Sequence, residues 1–105
     1  MTAFSTIHLF GFGTAQIIGK DVNKQVPAAE LTKLADFVDH VKTFKPTDVT
    51  LTDYHVIHIF NDMDVRYLGK KGDGSPMETK VSFSIKWADV DQAKLTALVD
   101  EIAAK

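Results

Sequence analysis

Cysteine is absent from this 105-residue chain. Disulfide frameworks, thiolate nucleophiles and cysteine-based zinc or iron–sulfur centres are therefore excluded. Charge of one sign is also lacking: the net charge is −2 and the sequence pI about 6.0. Without a broad positive field, nucleic acid and anionic membrane surfaces are not expected partners. Nowhere do 18 apolar residues follow one another, and Met1 to Ser5 place no basic stretch before an apolar run. Neither a membrane span nor a signal peptide is supported, and a cytoplasmic location is expected. What is there is the mixture of an ordinary globular protein, 45% hydrophobic and 25% charged. At this length one hydrophobic core serves the whole chain, so residues 1–105 read as a single domain.

Alternation with period two marks the first strand, with Ile7 and Leu9 on one side and Phe4, His8 and Phe10 on the other. Gly11-Phe12-Gly13 supplies turn residues and Ala15-Gln16-Ile17-Ile18 resumes a strand, so a hairpin is predicted. Pro27 then opens a helical pattern running to Phe44, with Leu31, Leu34, Val38 and Val41 as its stripe and Pro46 as its stop. Val49 to Phe60 is β-prone, Asn61 to Asp64 reads as a four-residue turn, and Val65 to Leu68 completes a second hairpin. Gly69 to Pro76 has the composition of a mobile loop. Lys80 to Trp87 alternates as a further strand, and Asp89 with Gln92 suggests a capped helix over Val90 to Ala104.

A shift of 50 positions lays Ile7-His8-Leu9-Phe10 on Ile57-His58-Ile59-Phe60, and Ile18-Gly19-Lys20 on Leu68-Gly69-Lys70, without a gap. The helices match at a shift of 64, Leu31-Thr32-Lys33-Leu34 on Leu95-Thr96-Ala97-Leu98. Pseudo-repeats over 1–45 and 51–105 follow. The expected fold is α+β: a two-layer sandwich in the order ββα-βββα, with a five-stranded antiparallel sheet and both helices on one face.

Each candidate for chemistry has a simpler structural reading. His8 and His58 occupy equivalent places and could meet, but two imidazoles fall short of a zinc site, so no metal is assigned. His55 and His58 are three apart on a strand and point to opposite faces. Asn61, Asp62 and Asp64 lack the spacing of a calcium loop. Gly69 to Ser75 is followed by a strand, whereas a phosphate loop leads into a helix. No Gly-x-Ser-x-Gly elbow occurs, Gly11-Phe12-Gly13 lacks the rest of an RNA-recognition signature, and Glu30, Glu78 and Glu101 show no partner carboxylate. No cofactor is implied and no catalytic residue emerges.

The sequence therefore favours a non-enzymatic interaction module that works through a sheet face and pairs with itself as a homodimer or with an unknown protein. Ile7, Leu9, Ile18, Ile57, Ile59 and Leu68 are the expected interface if the aromatic side lies under the helices. The reverse arrangement moves it to Phe4, Phe10, Tyr54 and Phe60. The alternative is a small-molecule or enzymatic site between the repeats near His8, His58 and Tyr67, with a four-residue turn setting His58 opposite Tyr67 and His8 opposite Ile17.

Overall fold

A computed structural model describes residues 2–10, 13–47, 49–71 and 80–105. Six strands form one antiparallel sheet: β1 (Thr6–Phe10), β2 (Thr14–Ile18), β3 (Asn23–Pro27), β4 (Leu51–Phe60), β5 (Asp64–Lys71) and β6 (Lys80–Lys86). Their spatial order is β3-β2-β1-β4-β5-β6. Two helices, α1 (Leu34–Lys42) and α2 (Gln92–Ala104), follow β3 and β6, each after a single 3₁₀ turn, at Ala28–Glu30 and Trp87–Asp89. The α+β expectation holds, with six strands in place of five.

The sixth strand is β3, whose sequence Asn-Lys-Gln-Val-Pro carries one large apolar side chain and so hid its period. It belongs at an edge. Pro27 closes it opposite Thr14 and leads into the 3₁₀ turn Ala28–Glu30, not into α1. The first helix is consequently shorter than the Pro27–Phe44 span that the apolar stripe suggested, and Leu31 is buried ahead of it in extended backbone. Leu31 and Val90 occupy the same place, each donating its N–H back across a 3₁₀ turn to Ala28 and Trp87. The helix alignment at a shift of 64 is therefore incorrect. At the start of α2 the cap is Asp91, whose carboxylate accepts from Lys94 N at 3.1 Å, because Asp89 is used in the turn before it.

Strand register decides which face is core. Both hairpins close through three-residue loops, since Phe10 pairs with Thr14 and Phe60 with Asp64. Asp64 belongs to β5 and not to a four-residue turn. The pairing sets Ile7 beside Ile17 and Ile59, and Ile57 beside Tyr67. These side chains share one face with Leu9, Val65 and Ile85, and all are at most 2% exposed. Helix α1 lays Phe37, Val38 and Val41 on this face, and α2 adds Leu95, Leu98, Val99 and Ile102 at helical spacing. No described helix is long and apolar enough to cross a membrane.

Two neighbouring carboxylates on α2 pin the chain across this layer. Glu101 accepts from the Thr32 amide at 3.0 Å, the Thr32 hydroxyl at 2.6 Å and the Lys33 amide at 2.9 Å. It satisfies donors at the entrance to α1, where Lys33 has no side-chain cap of its own. These bonds hold its carboxyl down from 4.5 to about 2. Asp100 accepts from the amide and hydroxyl of Thr2, and its carboxyl is likewise held below its ordinary value. At the other end His40 Nε2 accepts the Asp91 amide at 2.9 Å, joining α1 to the start of α2.

Candidate functional site: the uncovered sheet face

Pleating sends the alternate residues of every strand to the face opposite the helices. Thr6, His8 and Phe10 of β1 stand there beside Phe60, His58 and Val56 of β4, in that order. Gln16 and Ile18 extend the face on one side, and Arg66, Leu68, Ser82 and Ser84 extend it on the other.

His8 and His58 are direct cross-strand partners at the middle of the sheet, with ring centroids 4.6 Å apart and planes tilted by 39°. Phe10 meets His8 edge-on at 5.8 Å, and Phe60 meets His58 edge-on at 6.1 Å. The result is a diagonal band of four rings. The Arg66 guanidinium lies 5.3 Å from the Phe60 ring centre and its Nε donates to Asp64 at 3.0 Å, so the cation is fixed at the band's edge. Both histidines are half-buried, not enclosed. Burial is the main cause holding His58 below 6.5, and the neighbouring His8 and Arg66 act in the same direction.

Beside this band a shallow trough of about 500 Å³ runs between Val56, His58 and Leu68 on one flank and Ser82 and Ser84 on the other, with Arg66 at its margin. Its size is within the range of small-ligand sites, and its lining mixes apolar walls with a few polar groups.

The expected site residues are thus divided. His8 and His58 come together; Tyr67 lines the trough with His58, but its ring is 1% exposed and stacks on Phe83 at 4.9 Å on the core face. His8 lies opposite Gln16 and His58 opposite Arg66, because the three-residue loops shift the register from the four-residue-turn expectation. Of the six expected interface residues, Ile7, Leu9, Ile57 and Ile59 are core, at most 1% exposed beneath the helices. Ile18 and Leu68 remain on the uncovered face with Phe10 and Phe60. Phe4 is buried at 5% exposure. The side chains of Asp53, Tyr54 and His55, the loop residues Gly11 and Phe12, and Glu78 with the rest of 72–79 lie outside the described residues. Arg66 and Gln16, expected from the sequence as a polar rim beside Ile18 and Leu68, stand on the uncovered face next to His58 and His8. Among the described residues no three His, Cys, Asp or Glu side chains gather as a metal site. The chain matches no protein-family model, no curated protein and no solved structure.

Proposed function

We propose that the protein is a non-enzymatic interaction module that pairs with a second copy of itself through the uncovered sheet face. The observation that carries this reading is the band Phe10, His8, His58 and Phe60, with Val56, Ile18 and Leu68 around it, on a face no described element covers. Leu68 is 41% exposed. A contiguous apolar surface at the centre of a sheet is costly to leave in water and commonly marks an interface.

Area favours a second copy over a peptide, and charge selects how the two copies are related. Six strands at about 4.8 Å spacing and five residues of about 3.3 Å rise project to roughly 500 Å². An added peptide strand covers a small fraction of that, whereas another sheet of equal outline covers it all. The β5–β6 half carries Arg66, Lys70, Lys80 and Lys86 against Asp64, while the β2–β3 half carries the uncharged Thr14, Gln16, Asn23 and Gln25. A twofold axis running along the strands between β1 and β4 lays each basic half over the other copy's neutral half. An axis across the strands would stack the basic halves, so the first is favoured. Duplication of one βββα unit accounts for the matching halves and for His8 and His58 flanking the centre.

Sedimentation velocity at micromolar concentration in EDTA tests the proposal. The expected species has twice the 11.6 kDa chain mass, and Leu68→Asp and Phe60→Asp give monomers with unchanged circular dichroism. A wild-type monomer overturns it. The trough beside His58 supports the second reading, a small-ligand site. That reading is favoured instead if the protein is monomeric and a metabolite panel raises its melting temperature in a manner lost in Arg66→Gln.

A further inference from the structure

The symmetry argued above has a chemical result at the centre of the face. His8 and His58 supply two imidazoles, and among the described residues no third ligand joins them. Zinc takes four ligands in a structural site, so one chain is incomplete. A twofold axis along the strands, midway between β1 and β4, exchanges left and right but leaves every position along the strands unchanged. His8 of one copy therefore faces His58 of the other at the same height, and all four rings surround the axis wherever along the strands it is centred.

The spacing agrees. Sheets packed face to face lie about 10 Å apart, which puts the midplane about 5 Å above each strand, within the reach of an imidazole ring. The two rings already stand side by side at 4.6 Å, tilted rather than parallel. Phe10, Val56 and Phe60 give the position apolar neighbours along the strands, with Thr6, Gln16 and Arg66 completing its surround. Arg66, the cross-strand neighbour of His58, is held in an ion pair with Asp64 at 3.0 Å.

Resting on the dimer reading, we infer that the paired molecule binds one zinc ion through His8 and His58 of each copy, a four-imidazole site on the twofold axis that neither copy holds alone. Protein stripped with EDTA and dialysed is titrated with zinc chloride, with sedimentation and a competing chromophoric chelator as readouts. The expected result is half an equivalent of zinc per chain and dimer association tightened by at least about tenfold through mass action. Cobalt(II) at the same stoichiometry gives the intense visible absorption of a tetrahedral site. His8→Gln and His58→Gln each remove this uptake while circular dichroism is unchanged. A metal-free dimer that takes up no zinc, or one ion per chain with no change in association, overturns this inference and leaves the interaction module standing. A monomer at every zinc concentration overturns both.

Discussion

Replacing Gly69 with alanine isolates one contact in the core. Gly69 follows Tyr67 by two on β5, so both face the helices, and the Tyr67 ring lies across the space a side chain at 69 would take. A Cβ built there falls 2.6 Å from Tyr67 Cε1, 2.9 Å from its hydroxyl oxygen and 3.1 Å from Cζ. Ordinary carbon contacts are about 3.5–4.0 Å, so the ring must retreat by roughly 1 Å. It has little room to do so, being 1% exposed and stacked on Phe83 at 4.9 Å and 15°. Overpacking of this kind costs about 1–3 kcal/mol, and weakening the stack adds part of the roughly 0.5–1.5 kcal/mol an aromatic pair provides. Alanine recovers about 0.5–1 kcal/mol by restricting the unfolded chain. The expected net loss is about 1–3 kcal/mol, a sizeable share of the roughly 5–15 kcal/mol such a domain has. Urea unfolding followed by Trp87 fluorescence reads it as a lower midpoint at constant slope. Tyr67→Val removes the ring at its own cost, and in that background Gly69→Ala should be neutral or stabilising by up to about 0.5 kcal/mol. A coupling of at least about 1 kcal/mol in the cycle is expected. An equal loss in both backgrounds would refute the ring as the cause.

Three further outcomes follow from the same geometry. Glu101 is depressed from 4.5 to about 2, so its contribution is complete above pH 4.5 and is lost as pH falls from there through 2; Glu101→Gln should flatten the fall in urea midpoint across that window. His58 is also depressed, so stability is full above 6.5 and declines as pH drops below it, because the unfolded chain takes the proton first. NMR titration in EDTA should place His58 below 6.5, and His8→Gln should raise it only in part, since burial is the larger cause; a wild-type value at or above 6.5 would count against this. Ile59→Asp buries an unpaired charge at a site of 0% exposure and should abolish the circular dichroism of the fold, whereas Leu68→Asp, 41% exposed, should preserve it.

The two hairpins and the apolar stripe of α2 were legible because alternation and helical spacing are local. Which side of each strand is buried was not, because the sequence offers Ile7-Leu9 and His8-Phe10 as two comparably apolar rows. A loop of three residues instead of four settles which cross-strand neighbours each row obtains. β3 escaped notice for a different reason: at an edge one row of apolar contacts suffices, and Val26 meets most of that need while Lys24 spans the layer to bond Ala103 O. The entrance to α1 was illegible locally because its donors are satisfied by Glu101, 68 and 69 residues away. The histidine pair was visible as a repeat, but Arg66 and the edge-on rings became neighbours only through the register of β1, β4 and β5.

The two outermost strands also govern what happens at high concentration. An exposed strand edge is a template for adding further chains without limit, the route by which sheet proteins form fibres. Here one margin is the short β3, ending in Pro27, which has no amide hydrogen to offer. The other, among the described residues, is β6, bounded by Lys80 and Lys86 with exposed serines between them. Lateral growth is blocked on both sides by a missing donor and by repelling charge. In the proposed dimer, joining two molecules consumes the flat of the sheet and leaves nothing for a third, so concentrated solutions should remain clear and finite in particle size.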